Sequence, residues 1–269
     1  MSVNAHLAAI ASQCCLRDDE RETVKTSVRH IQNALQTYFG SDVSHSIVFG
    51  SFSRKTILPR MADPLSDVDL LVCFKDGRHA PQTYMDQLRR FVEKRYQRSE
   101  IRQSNPTIQL SMGHIRIELV PAVESFFSPY VIPAKAKDYQ EWIGTDPNGF
   151  DEEIISANQN NRSLVKPLSR ILKRWNVSAN RPFESFDLER QIVEHAPSGF
   201  FTYQNHADAF YRCVPNLDLG WSAAQWKRNA LARLKRMAAE ARSAERLRYG
   251  ETARQQVARL IPLATAGAG

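Results

Sequence analysis

The chain has 269 residues, 42% of them hydrophobic and 24% charged, with a formal net charge of +7 and a pI near 9.3. That length can hold one large or two modest cores, and no apolar run is long enough to cross a bilayer. Four cysteines (Cys14, Cys15, Cys73 and Cys213) show no Cys-x-x-Cys spacing, which argues against a zinc site and for free thiols in a reducing compartment. Met1-Ser-Val-Asn-Ala-His lacks the basic and apolar regions of a signal peptide, so a cytoplasmic protein with no membrane partner is expected. The basic balance favours polyanions, which nucleic acid or several triphosphates would satisfy equally well.

In chain order, the acidic turn Asp18-Asp19-Glu20 precedes apolar positions at Val24, Val28, Ile31 and Leu35, which predicts an amphipathic helix over 17–38 ended by Gly40. A strand at 46–49 delivers Gly50-Ser51. Pro59, Asp63 and Pro64 then mark a loop, and Leu70-Leu71-Val72-Cys73-Phe74 continues a second strand from Asp67. A helix is predicted over 81–97, with Pro81 in its first turn. Strands follow at 107–110 and 115–121, the second alternating Ile115, Ile117 and Leu119 against Arg116, Glu118 and Val120.

From about Asp151 the pattern turns helical, with candidates at 151–160, 164–175, 185–196 and 222–249, the last strongly basic on its outer face. The expected organisation is a catalytic domain over 1–150 with an N-terminal helix, a helical nucleotide-binding domain over 151–255, and a flexible tail over 256–269.

Residues 48–70 carry the chemistry. A Gly50-Ser51 turn closes one strand, and Ser66-Asp67-Val68-Asp69 opens the next. Strand alternation puts Asp67 and Asp69 on one side and Val68 on the other. Two carboxylates so close repel each other unless a cation lies between them, and an all-oxygen donor set suits Mg2+, with Mn2+ as an alternative. Backbone N–H groups of a tight turn such as Gly50-Ser51 can receive phosphates. A two-metal transferase needs a third acid on the nucleophile side, and Glu118 on a later strand is the candidate. The competing reading makes Glu118 a surface residue on an edge strand and the aspartates turn caps.

These residues resemble the DNA-polymerase-β-like nucleotidyltransferases. Within them the chain is most similar to the bacterial CD-NTases with a SMODS domain, relatives of oligoadenylate synthase and cyclic GMP-AMP synthase. The matching pieces are Gly50-Ser51-Phe-Ser-Arg54-Lys-Thr56, Ser66-Asp67-Val-Asp69-Leu, Ile117-Glu118-Leu-Val-Pro121-Ala122, Leu168-Ser-Arg-Ile-Leu-Lys173-Arg-Trp175-Asn and Ser185-Phe186-Asp-Leu-Glu189. They run in order through roughly residues 20–250.

The resemblance implies an α/β (α+β) fold: a polymerase-β-like sheet domain packed against a helical C-terminal half, bilobal with a central cleft. It implies that Asp67, Asp69 and Glu118 hold the metal and that Gly50 and Ser51 meet the β- and γ-phosphates. Lys173 and Ser185 would grip the triphosphate, Phe186 would stack on a base, and Arg54 would neutralise phosphate charge or lie on the surface. Taken without the resemblance, Lys173 reads as a solvated helix lysine and Phe186 as a core aromatic.

Two departures stand out. The loop before Asp67 is longer than the family pattern, with Arg60-Met-Ala-Asp63-Pro64 as the insertion, expected to rim the active site. The third acid is Glu rather than the commoner Asp.

The function expected is a Mg2+-dependent nucleotidyltransferase joining NTPs, as donor and acceptor, into a cyclic or linear oligonucleotide second messenger in anti-phage, CBASS-type defence. The alternative is a transferase modifying tRNA or RNA ends or a protein, of the CCA-adding or toxin type, for which the basic stretch 226–254 offers an RNA contact. A third reading is a catalytically silent nucleotide sensor, against which the intact acid set argues. The small-residue C-terminus suggests conjugation of Gly269 to a partner protein.

Overall fold

The computed structural model describes residues 2–104, 106–134 and 141–263. In chain order the helices and strands are α1 (Val3–Gln13), α2 (Asp18–Phe39), β1 (Val43–Phe49), α3 (Gly50–Ser53), β2 (Asp67–Phe74), α4 (Pro81–Arg95), β3 (Glu100–Ser104), β4 (Thr107–Met112), β5 (Ile115–Glu124), β6 (Tyr130–Pro133), β7 (Trp142–Thr145), α5 (Gly149–Asn160), α6 (Val165–Ser178), α7 (Ser185–Glu194), α8 (His206–Cys213), α9 (Gln225–Arg246) and α10 (Gly250–Leu260). The chain divides into two compact units. A sheet unit comprises Arg17–Ser53 and Leu65–Asp151; a helical unit comprises Met1–Leu16, Arg54–Pro64 and Glu152–Gly269.

In the sheet unit the strand order is β1-β2-β5-β4-β3, with β6 on the far end of β5 and β7 beside β6. The β2–β5 pair is parallel and the other pairs are antiparallel. A parallel pair needs a long crossover, which α4, β3 and β4 supply. Alternation sends Val68, Leu70, Ile117 and Leu119 into a core where each is 0% exposed. Helix α2 starts on its acidic turn, with the Arg17 N–H donating to Glu20 Oε2 at 3.0 Å, and buries the predicted stripe Val24, Val28, Ile31 and Leu35. Helix α4 starts on Pro81 and buries Tyr84, Leu88, Phe91 and Val92.

The helical unit is built around α6, whose Leu168, Ile171, Leu172 and Trp175 form the predicted stripe. Pro167 is the third residue of α6, where its missing N–H has no intrahelical partner to lose. Helix α1 adds Val3, Leu7 and Ile10 to the same core, and α10 adds Val257 and Leu260.

Two sequence expectations change here. Helix α1, placed with the catalytic domain over 1–150, belongs to the helical unit, because its apolar face is buried among α6, α8 and α10. The tail does not begin at 256: α10 continues to Leu260 because Val257 and Leu260 are core residues, while Gly269 and its conjugation lie outside the described residues. Elements α1, α3, α8, α10, β3, β6 and β7 add to the predicted set.

The loop between Gly50-Ser51 and Asp67 carries an anchored strap of the helical unit over Arg54–Pro64. Leu58 and Ala62 are buried in that unit's core at 3% and 1% exposure. Arg170 Nη1 donates to Lys55 O at 3.0 Å and Arg174 Nη1 to Ala62 O at 3.0 Å. Arg181 grips Asp63 with both ends of its guanidinium, at 3.0 and 2.5 Å. The apparent insertion is therefore the strap's fastening point.

Candidate active site

The acid set forms on β2 and β5. Their parallel register places Asp69 opposite Glu118 and Asp67 opposite Arg116, all on the face turned away from Val68 and Ile117. Sequence reasoning brought Asp67, Asp69 and Glu118 to one place, and the register does so through adjacent strands. Glu118 is on a central strand, between β2 and β4, rather than at an edge.

The Gly50-Ser51 turn closes onto the same acids. Phe49, the last residue of β1, pairs with Asp69, so the chain leaves β1 directly over that carboxylate. Gly50 has φ +75°, and a Cβ at this position would fall 2.0 Å from Asp69 Oδ2. Only glycine tolerates both the left-handed backbone and this approach. Ser53 Oγ lies 2.8 Å from Gly50 O and 2.7 Å from Asp151 Oδ2, so its proton is shared between the turn and the start of α5.

Burial pushes the Asp67 carboxyl up to about 8, helped by the negative charges of Asp69 and Glu118 and by a proton shared with Glu118; Arg116 opposes the shift. Carboxylates this close relieve their repulsion by keeping a proton. A divalent cation can replace that proton, and an all-oxygen set suits Mg2+ or Mn2+. Among the described residues no group of three or more His, Cys, Asp or Glu side chains is gathered to hold a metal ion as it stands. Glu118 also has hydrogen-bond partners outside the acid set. One such partner is Gln109, whose Nε2 donates to Glu118 Oε1 at 2.7 Å.

The remaining candidates lie in the helical unit, centred on a residue that sequence reasoning quoted without a role. Glu189 is 0% exposed and accepts from Arg54 Nε at 2.8 Å, from Thr56 Oγ1 at 2.5 Å and from the Lys173 ammonium. Burial alone would raise its carboxyl, but Lys173 and Arg54 outweigh that and hold it below the usual range. Lys173 is thus buried and ion-paired, not a solvated helix lysine, and Arg54 is not a surface residue. Phe186 is 50% exposed, not a core aromatic, with the Arg54 guanidinium 5.8 Å from its ring centre. Ser185, the first residue of α7, is exposed.

Gln109, Arg116 and Glu189 were missed as site residues because strand pairing and helix packing, not motif spacing, bring them to their partners. A buried-face position for Glu189 is visible in its helical spacing from Leu188 and Ile192, yet its counter-charges come from distant segments.

Residues 1–158 match the family described as the Second Messenger Oligonucleotide or Dinucleotide Synthetase domain, SMODS. Over 194 residues, 65% of this chain, the sequence is 22% identical to the CBASS oligonucleotide cyclase CdnC of Escherichia coli strain KTE188; the match spans 59% of that relative's length. The fold is similar to that of E. coli MS115-1 CdnC solved with ATP (TM-score 0.74, 12% identity, 100% of this chain and 99% of the other). It is also similar to Vibrio cholerae DncV cyclic AMP-GMP synthase solved with the linear intermediate 5′ pppA(3′,5′)pG (TM-score 0.73, 11% identity, 95% and 94%).

Proposed function

This chain belongs to the SMODS family, and on that premise we propose that it is a Mg2+-dependent nucleotidyltransferase that joins NTPs into an oligonucleotide second messenger. The observation that carries the reading is the register that sets Asp69 beside Glu118 and under Gly50, with Asp67 two residues away on the same face. Its similarity to a CBASS oligonucleotide cyclase and to a cyclic AMP-GMP synthase supports the same chemistry and a role in anti-phage defence.

In this reading Asp67, Asp69 and Glu118 would hold the divalent cation, which would neutralise phosphate charge and lower the pKa of the attacking hydroxyl. The Gly50-Ser51 turn receives the β- and γ-phosphates on its N–H groups, and the bare Gly50 lets that turn lie against Asp69. Glu118, on the strand beside the pair, takes the side of the attacking ribose hydroxyl. That oxygen forms a bond to the α-phosphorus in line with the departing oxygen, the α–β phosphoanhydride bond breaks, and pyrophosphate leaves; the hydroxyl proton goes to a carboxylate or to water.

Lys173 and Ser185 are assigned the triphosphate and Phe186 a base, on the motif match and on chemistry. An ammonium is a point charge suited to phosphate, and a half-exposed aromatic face stacks on any base for roughly 1–3 kcal/mol. Lys173 would serve while also compensated by Glu189, which keeps its charge from being buried alone. Arg54, paired with the same carboxylate, acts at most through that cluster.

The second reading, transfer to an RNA end, is favoured by one feature: α9 turns Arg228, Arg233, Arg236 and Arg246 to solvent, with the exposed Trp226 at its start. One experiment decides between the two. The protein is incubated with Mg2+ and labelled NTPs, with and without RNA, and the products are identified by mass spectrometry. Phosphatase-resistant oligonucleotides formed without RNA are the expected result; label found only on RNA or protein would overturn the messenger reading in favour of the second.

A further inference from the structure

Resting on the reading of Asp67, Asp69 and Glu118 as the metal-holding acids, we propose that Gln109 is a positioning residue: its amide fixes the Glu118 carboxylate in the orientation in which it acts. Strands β4 and β5 pair with Gln109 directly opposite Glu118, and Asp69 faces Glu118 from the other side. Asp69, Glu118 and Gln109 therefore form one row across three strands on one face of the sheet. Gln109 is itself held in place by its neighbours Ile108 and Leu110, both 0% exposed in the core on the opposite face. From that position its Nε2 donates to Glu118 Oε1 at 2.7 Å, a full hydrogen bond to an ionisable acceptor.

The chemistry of the tether suits its task. The acid at this position is a glutamate, with one more rotatable bond than an aspartate and correspondingly more freedom to lose before it can act at one point. An amide removes that freedom without removing charge. It is a neutral donor that occupies one lone-pair direction of Oε1, leaving the rest of the carboxylate to Asp67, with which it shares a proton, and to a cation that would replace that proton. A lysine or arginine at the same place would pair with the carboxylate and compete with a cation. The nearest cation along the row, Arg102 on β3, is directed instead to Glu100 at 2.6 Å. Groups that orient ligands from behind in this way cost about 10–100-fold in metal affinity or activity when removed.

The test uses the intact chain and Mn2+ alone as the probe, with free Mn2+ read by electron paramagnetic resonance in the absence of nucleotide. Gln109→Leu removes the donor at similar size; Gln109→Asn keeps an amide but falls a methylene short and preserves a polar strand residue should the leucine variant fold poorly. Both are expected to weaken Mn2+ binding by about 10–100-fold. NTP turnover should lose kcat and require more Mg2+, with KM for NTP within about twofold of wild type. In a Glu118→Gln background, Gln109→Asn should add little further loss, because its partner's charge is already gone.

A general structural role for Gln109 would lower the melting temperature and leave Mn2+ affinity per folded molecule unchanged. That outcome, or an equal loss with and without Glu118, overturns the proposal. The result is separable from the transferase reading. If the wild type makes no nucleotide product but binds Mn2+ in a Gln109-dependent way, the transferase reading fails alone. If the wild type is active and both Gln109 variants match it, the positioning proposal fails alone.

Discussion

Gly50 and Asp67 show how much of the site is decided by single atoms. A Cβ on residue 50 would lie 2.0 Å from Asp69 Oδ2 on a backbone with φ +75°. Gly50→Ala therefore either displaces the Asp69 carboxylate or opens the turn, besides a cost of about 1–2 kcal/mol for the left-handed backbone. Turnover should fall by about 100-fold or more, since an ångström of misplacement has that effect, while the protein remains folded by circular dichroism. Near wild-type turnover would show that the turn does not bear on Asp69.

Asp67 supplies a pH signature. Its carboxyl is pushed up to about 8, so the folded protein keeps a proton that the unfolded chain releases near the ordinary value of 3.8. For an acid raised in the folded state, stability declines as pH rises between those two values and levels off above the higher one. A bound cation has to expel that proton, so Mg2+ should raise the melting temperature more near about pH 9 than near about pH 6. Asp67→Asn should flatten the dependence. An Mg2+ effect that is equal at both pH values in the wild type would contradict the assignment of Asp67.

At the level of elements, the strap Arg54–Pro64 and helices α6 and α7 are joined through Glu189. Glu189→Ala would leave the ammonium of Lys173 and the guanidinium of Arg54, 6% and 7% exposed, without their shared counter-charge. Breaking a buried pair on one side costs about 3–5 kcal/mol, and the loss should appear in chemical denaturation of the helical unit. Because the Glu189 carboxyl is held low, its contribution is full above the ordinary carboxylate range and is lost as pH falls below it. The difference between wild type and Glu189→Ala should therefore close on the acid side. A difference that stays constant down to about pH 3 would mean that packing, not charge, is responsible. Arg181 and Asp63 are more exposed, and Arg181→Ala should cost less, about 1 kcal/mol.

At the level of the whole molecule, each unit draws on chain segments far apart in sequence. Helix α1 gives the helical core Val3, Leu7 and Ile10, exposed 0, 0 and 1%. A chain beginning at Arg17 should lose roughly 5 kcal/mol or more from that unit, at about 1.5–3 kcal/mol per buried aliphatic side chain. Hydrogen exchange is expected to show α6 losing protection while β2 and β5 keep theirs. Equal loss in both units would mean that they do not behave as separate cores.

The motif residues and the element types around them were legible in the sequence because both have local causes. The two-residue period around Asp67-Val68-Asp69 and Ile115-to-Val120, the acidic start of α2 and the stripe of α6 are set by neighbours within a few positions. Domain membership was less legible. Helix α1 has apolar residues at helical spacing, but nothing in its own sequence says which core it joins. Residues 60–64 look like an insertion until Arg174 and Arg181 are seen to hold Ala62 and Asp63. Partners more than a hundred positions away leave no local pattern.

By itself, then, the sequence singled out the candidate reacting groups of this protein: Gly50-Ser51, the Asp67 and Asp69 pair and a third acid at Glu118, because turn chemistry and strand alternation are short-range. The tertiary structure alone decided what surrounds them. Strand register set Gln109 beside Glu118, helix packing enclosed Glu189 with Lys173 and Arg54, and chain tracing placed the strap in the helical unit. The physical reason is that strand pairing and core packing are long-range choices, settled by which surfaces can be buried together rather than by residues adjacent in the chain.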